Sequence, residues 1–469
     1  MAENSELGDI PPTFKIDLSL PPSQRYKALA SLYRFKLKSL VDIFNELLTG
    51  LFGTGSIKWV HRVAPVLLKR LYTDEETEEI KGISEATGIG LYILVSLNVF
   101  LDLLMGCTSG AALTKHQQDL DAKMLHFRTL DWDMDELRQL IVKLEYIRSS
   151  ESDTALATSV TYVGFVGVLT GVRKGLSISL NFRPCHDTSS ILANYRFYGS
   201  HLLVLLGMRR SISSLLRKYL LSPNLEPTQR QSWLDRILRR KPAPRQNQTP
   251  LDLITASLPQ IPTTAAYLVM CDGKSAVVFE KDHRRATIQR SSSFIVVTNS
   301  DSVDDSPIFQ EDTPRRDENC TGAAINSTEP VGMDDVVFLS SERRCYMQNA
   351  WEEKVQAAKR VSKTEDSGNE ATIGSSSTCR DSVTPRTDAG QRTCSSKSTK
   401  ECSVGVLSDS SLEHQVTATP SEVSKWITEY PVTNEMTHFS AIMDPTLGTV
   451  AWVKRYLDPP PSNDNDNTG

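Results

Sequence analysis

Cys107, Arg128 and Asp131 are residue types used in nucleophilic catalysis, at a spacing that a β-hairpin would bring together. Cys107 sits in Gly106-Cys107-Thr108-Ser109, after an apolar stretch and at the head of a β-type run. Arg128 and Asp131 close a second run, His126-Phe127-Arg128-Thr129-Leu130-Asp131-Trp132. If 107–113 and 123–129 pair as a hairpin, Arg128 and Asp131 return beside Cys107. A guanidinium and a carboxylate placed there can hold a thiol, orient it and lower its pKa. A Gly-Cys pair alone is more often an inert, half-buried thiol, so the case rests on the combination.

Other chemistries are poorly supported. The eight cysteines (107, 185, 271, 320, 345, 379, 394 and 402) include no C-x-x-C pair, which argues against zinc ribbons and thioredoxin-like redox sites. His126 reads as a satisfied structural residue, and no His/Asp/Glu group has metal-ligand spacing, so neither metal nor cofactor is expected. A net charge of -5 without a large Lys/Arg block speaks against a nucleic-acid partner. Met1–Pro12 shows no secretory signal, which implies a cytoplasmic chain if that start is the true one. The apolar stretch Gly88–Gly106 is interrupted by Ser96, Asn98 and Asp102 and reads as a buried helix running into a core strand.

Residues 1–106 are expected to form a helical segment. A helix should start at Ser23 and run from Gln24 to Leu48; another should be capped at Thr73 and stopped by Gly88. Strands are expected at Cys107–Leu113, Lys123–Thr129, Ser159–Val166 and Leu176–Phe182. A helical stretch over Ser190–Leu220 follows, then strands at Ala265–Met270, Ser275–Glu280 and Ser293–Thr298. That order predicts an α+β fold, two antiparallel sheets covered by helices in an α/β/β/α sandwich. The catalytic core would span 107–360, with a basic, Pro-rich surface insertion at 236–249. Residues 361–420 lack Phe, Tyr and Trp and are rich in Ser and Thr, so disorder is expected there. The segment 421–469 would close the core with a helix at Val423–Tyr430 and a hairpin around Asp444–Gly448, then end in a disordered tail.

Several segments resemble one family. Glu78–Ser84, Thr87-Gly88-Ile89, Ser96-Leu97-Asn98-Val99-Phe100 and Cys107-Thr108-Ser109 resemble acid ceramidase and N-acylethanolamine-hydrolysing acid amidase. So do Tyr162–Gly171, Pro11–Leu18 with Pro21-Pro22 and Arg25, and Thr298-Asn299. The resemblance implies an N-terminal-nucleophile hydrolase that cuts its own backbone at Gly106–Cys107 into α- and β-subunits that remain together. It implies Cys107 as nucleophile, Asp131 holding the freed α-amine, Arg128 positioning the substrate carbonyl side or Asp131, and Asn299 as an oxyanion-hole amide. A later Arg-Arg pair falls on Arg343-Arg344 or on Arg315-Arg316. The family's Asn-Glu-Arg or Asp-Glu-Arg triplet stands here as Asn181-Phe182-Arg183, so its Glu is absent, and the Asn of the family's Arg-Asn-x-Asp element is Thr129.

Three functions compete on this reading. The first is hydrolysis of a long-chain N-acyl lipid such as ceramide, presented at a membrane or micelle surface. The second is N-acylethanolamine hydrolysis or acyl transfer through the same acyl-enzyme. The third is an inactive lipid-binding protein, which would need none of Cys107, Arg128, Asp131 and Asn299.

Overall fold

A computed structural model of the chain describes residues 9–38, 41, 57–100, 106–115, 121–132, 134–149, 154–184, 191–222, 249–301, 333–369 and 416–460. In chain order the elements begin with β1 (Thr13–Asp17), α1 (Pro22–Arg25), α2 (Lys27–Leu32), α3 (Ile57–Leu67), α4 (Asp74–Thr87) and α5 (Leu91–Phe100). Next come β2 (Gly106–Thr114), β3 (Lys123–Asp131), β4 (Ile141–Ile147), β5 (Ala157–Tyr162), β6 (Thr170–Arg173) and β7 (Leu176–Phe182). Helices α6 (Ile191–Leu205), α7 (Ile212–Leu221) and α8 (Pro250–Ser257) precede β8 (Ala266–Cys271), β9 (Ala276–Asp282), β10 (Arg285–Ser291) and β11 (Phe294–Val297). Helices α9 (Met333–Asn369) and α10 (Pro420–Thr428) and strands β12 (Thr437–Asp444) and β13 (Thr449–Arg455) complete the chain.

Among the described residues the strands form two sheets, one of eight in the order β1-β4-β5-β6-β7-β8-β9-β10 and one of five in the order β11-β2-β3-β12-β13. Strand alternation builds the layers. Ala111 faces inward to Tyr267 and Val269 of the larger sheet, while its neighbour Ala112 faces outward to Met347 and Trp351 of α9 and Val423 of α10. On the far side the larger sheet packs Ile178 and Leu180 against α4, α5 and α7. The α/β/β/α layering read from the sequence is therefore present.

The departures have local causes. The first 106 residues are not wholly helical, because Thr13–Asp17 joins the larger sheet as β1 and runs parallel to β4, so that sheet is not purely antiparallel. The helix expected from Gln24 to Leu48 ends at Arg25 and resumes only from Lys27 to Leu32, with Pro22 in its first turn in place of a Ser23 cap; Leu40, Phe44 and Leu47 lie outside the described residues. Strand β5 stops at Tyr162, since Gly164 takes a φ of 95° and turns the chain. Gly207, at φ 64°, likewise lies between α6 and α7 in the stretch read as one helix. Strands β4, β6 and β10 were not expected. Thr73 accepts a hydrogen bond from the Glu76 amide and Gly88 turns left-handed at φ 77°, as the sequence signals predicted.

Both ends of the 361–420 segment are structured. Helix α9 continues through Asn369. At the other end Val416 and Ala418 are buried, Ala418 bridges to Thr114, and Thr419 with Glu422 forms a capping box on α10. Of the 236–249 insertion, only Thr249 lies within the described residues, where it caps α8.

The N-terminal segment is tied to the rest by buried polar groups. Glu79 of α4 is fully buried and receives Arg217 of α7, whose Nη2 lies 2.7 Å from its Oε1, together with Arg25 Nη1 at 2.9 Å. Arg217 also donates to the Val166 carbonyl at 2.8 Å, and Asn98 of α5 bridges Gly164 and Val166 through both ends of its amide. Truncating one member of such a buried pair strands the other charge, at a cost of about 3–5 kcal/mol. Glu79→Ala is therefore expected to lower the denaturation midpoint by that much in free-energy terms; a change below about 1 kcal/mol would show that the cluster does not hold the segment.

Candidate active site

The β2–β3 hairpin positions the chemistry. Its register sets Gly106 opposite Asp131, Cys107 opposite Leu130 and Ser109 opposite Arg128. Alternation then sends Arg128 toward the larger sheet and Asp131 toward α9. Arg128, wholly buried, donates through Nη2 to Cys107 Sγ at 3.1 Å and through Nη1 to the carbonyls of Leu180 at 2.5 Å and Leu169 at 3.3 Å. Those carbonyls of the β6–β7 region hold the guanidinium with its Nη2 edge on the sulfur. Arg128 thus contacts the thiol itself.

The nitrogen of Cys107 is held from the other side. It donates to Asn299 Oδ1 at 2.8 Å. Arg343 of α9 donates through Nη2 to the same oxygen at 3.0 Å and through Nη1 to Asp131 Oδ2. The remaining oxygen of Asp131 accepts from Thr437 Oγ1 at 2.8 Å. Asn299 is itself pinned, its backbone N–H donating to Ser340 Oγ at 2.8 Å and its Nδ2 to the Phe182 carbonyl at 2.8 Å. Asn181 ties the strands together, accepting from Ser109 Oγ at 2.6 Å and donating to the Val297 carbonyl at 3.2 Å. Gly106 has little space around it: a Cβ there would meet Asp131 Cβ at 3.3 Å and Arg343 Nη1 at 3.7 Å.

Burial dominates the electrostatics. Cys107 is fully buried, which pushes its thiol up to about 11, against the pull of Arg128 and Arg343 and with Asp131 adding to the rise. With the Gly106–Cys107 bond intact the sulfur is therefore a neutral thiol at physiological pH, the reverse of the lowered pKa expected from the residue types. Asp131 is likewise raised by burial, opposed by Arg343, Thr437 and Arg128. His126 lies between Ser177 and Ser179, each at 2.9 Å, and burial holds it down at about 3. It is the structural histidine the sequence suggested.

The structure brings Cys107, Arg128, Asp131, Asn299, Arg343 and Asn181 into one constellation. Arg344 binds the Ser300–Asp301 backbone, one step away, while Arg315 and Arg316 lie outside the described residues. Phe182 contributes a carbonyl where an acidic side chain was missed. A carboxylate lies nearby at Asp301, paired with Arg183 Nε at 2.7 Å and with the Tyr267 hydroxyl at 2.7 Å. Sequence reasoning did not find Thr437 or Ser340. Among the described residues no group of three or more His, Cys, Asp or Glu could hold a metal ion.

Comparison with known proteins finds similarity to lipid amidases. A family model described as the beta subunit of N-acylethanolamine-hydrolyzing acid amidase matches residues 9–72. The acid ceramidase of Mus musculus is 32% identical over 188 residues, which are 37% of this chain and 45% of the relative. The N-acylethanolamine-hydrolyzing acid amidase of Caenorhabditis elegans is 29% identical over 184 residues, 37% of this chain and 48% of the relative. The chain thus spans about half the length of these curated relatives. A solved structure of the Caenorhabditis elegans amidase ortholog aligns over 73% of this chain and 94% of its own, at 16% identity and a TM-score of 0.39. On the sequence matches, part of this chain is similar to the acid ceramidases and N-acylethanolamine-hydrolyzing acid amidases.

Proposed function

We propose that this protein is a self-processing cysteine amidohydrolase that cleaves the amide bond of N-acyl lipids, with ceramide as the leading substrate. The observation that carries this reading is the opposed grip on one residue: Arg128 on the sulfur of Cys107, Asn299 on its nitrogen, with the Asp131–Arg343 pair beside that nitrogen. A lipid carrier has no use for charges buried at this cost.

In the first reaction Cys107 Sγ loses its proton and attacks the Gly106 carbonyl carbon. The Gly106–Cys107 C–N bond breaks and the nitrogen takes up a proton, leaving a thioester between Gly106 and the sulfur. Water hydrolyses that thioester, giving the Gly106 carboxylate, the thiol and a free α-amine on Cys107. An α-amine has an unperturbed pKa of about 7.7–8.0 and can accept the thiol proton in the second reaction. The thiolate then attacks the lipid amide, the sphingoid or other amine departs with a proton, and water releases the fatty acid. Arg128 stabilises the thiolate, and Asp131 with Asn299 orients the α-amine.

The links of α4 and α5 to α7 and the 164–166 turn bridge the cut, so the two fragments stay together. Exposed Leu32, Phe35, Val66, Leu67, Tyr198 and Met208 support docking on a membrane or micelle surface. No helix among the described residues is long and apolar enough to cross a membrane. N-acylethanolamine hydrolysis, or acyl transfer to an amine, would use the same acyl-enzyme with a different partner for the acyl group. Assaying the purified chain on a ceramide and on an N-acylethanolamine separates the substrates, and hydrolysis of neither would overturn the proposal.

The buried edge at Val416–Thr419 narrows one experiment. Replacing residues 370–415 with a short flexible linker is expected to leave self-cleavage and amidase activity within about twofold, since loop length costs little in closure entropy. Removing 361–420 instead takes away Val416, Ala418 and the α10 cap, and is expected to lose soluble protein. Loss of cleavage in the shorter deletion would place 370–415 in the catalytic core.

A further inference from the structure

The hydroxyl of Thr437 has a fixed direction. It accepts a hydrogen bond from the Asn434 backbone N–H at 2.9 Å and lies 2.8 Å from Asp131 Oδ1. With one lone pair engaged by Asn434, its proton is left for Asp131. The strand that carries it is also fixed, because Arg138, fully buried, donates to the carbonyls of Thr437 and Glu435. Both oxygens of Asp131 therefore receive donors, Oδ1 from Thr437 and Oδ2 from Arg343, and each contact favours the ionised carboxylate.

We infer that Thr437 is a positioning residue for Cys107 chemistry: it orients Asp131 and holds it ionised against burial. The inference rests on the proposed role of Asp131 beside the Cys107 nitrogen. It assigns the last hairpin, β12–β13, a part in the reaction as well as in the sheet. Without the hydroxyl, Asp131 keeps Arg343 and the charges of Arg128 and Arg138, but Oδ1 loses its donor and takes a proton more readily. Thr437 is wholly buried and its hydroxyl is hydrogen-bonded to the Asn434 amide and to Asp131, so it acts through Asp131.

The test compares Thr437→Val, which keeps the shape and removes the hydroxyl, with Thr437→Ser, which keeps the hydroxyl. Cleavage at Gly106–Cys107 is followed by intact mass, and amidase activity on an N-palmitoyl fluorogenic amide across pH. Thr437→Val is expected to slow both by about 10- to 100-fold, the worth of a hydrogen bond to a charged group. Its acidic limb should move to higher pH, because withdrawing the donor raises Asp131 further and protonates it sooner. The loss should then be greatest in acid and shrink as pH rises. Thr437→Ser should restore both rate and profile. If the valine variant does not accumulate as soluble protein, Thr437→Cys, of similar size with only a weak donor, is expected to show the same displaced limb. A valine or cysteine variant with the parent's rates and profile would overturn the inference and leave the functional reading standing. A parent chain that neither cuts nor hydrolyses would sink that reading and the inference with it.

Discussion

Cys107→Ala is expected to give a single uncut chain with no measurable amidase activity. Both proposed reactions use the same sulfur, so both fail together, by roughly 10⁴-fold or more for turnover. The fold should survive, because the change removes one atom from a buried strand position flanked by intact backbone pairing with β3. Cys107→Ser keeps the geometry with a poorer nucleophile and is expected to cut slowly. A second buried thiol serves as control: Cys271, pushed by burial to about 12, meets the Met124 carbonyl, the Gly273 amide and the Ser177 side chain, with neither Arg128 nor Asp131 among the groups that shift it. Cys271→Ala should cut and hydrolyse as the parent does. Activity that survives Cys107→Ala, or that is lost in Cys271→Ala alone, would move the nucleophile elsewhere.

Asn299→Ala is expected to reduce turnover by about 10²–10³-fold, the usual loss when one preorganised donor at a developing oxyanion is removed. The structure divides the possible reasons. In the uncut chain the Asn299 oxygen faces the Cys107 nitrogen, while its Nδ2 is spent on the Phe182 carbonyl. As arranged, Asn299 orients the nitrogen; serving as oxyanion donor requires Nδ2 to leave Phe182 once the chain is cut. Asn299→Asp keeps the acceptor and loses the donor. If Asp retains self-cleavage and loses turnover, both roles are real and act in succession. If Asp matches Ala in cleavage as well, the donor matters from the start. A loss below tenfold for Ala would remove Asn299 from the machinery.

What the sequence revealed follows from distance along the chain. The pairing of Cys107 with Arg128 and Asp131 was legible because a hairpin brings together residues only some twenty positions apart and its β-pattern is clear. Asn299 and Arg343 could be named only through resemblance, since contacts across 192 and 212 residues leave no periodic trace. Thr437, 306 residues from Asp131, carried no such resemblance and was missed; it lies one residue before His438, where the closing hairpin was expected to begin. The direction of the thiol shift was misjudged for a related reason. Residue types report the charges near a sulfur, whereas complete burial, which decides here, emerges only when both sheets close over it. Among the strands, β10 escaped notice because Arg285-Ala-Thr-Ile-Gln-Arg-Ser291 is an edge strand with little apolar alternation. Strand β1 escaped because its partner lies 130 residues away and pairs in parallel.

The central claim is that one sulfur first frees its own α-amine and then uses it. Intact-mass analysis of the purified active protein, denatured and alkylated, tests this most directly. The account predicts two masses that sum to the 52.2 kDa chain plus one water and the alkyl groups, with the larger fragment beginning at Cys107. Under native conditions the two should elute together. A single uncut chain that hydrolyses N-acyl lipid at full rate would contradict it, because Cys107 would then have no free amine to take its proton.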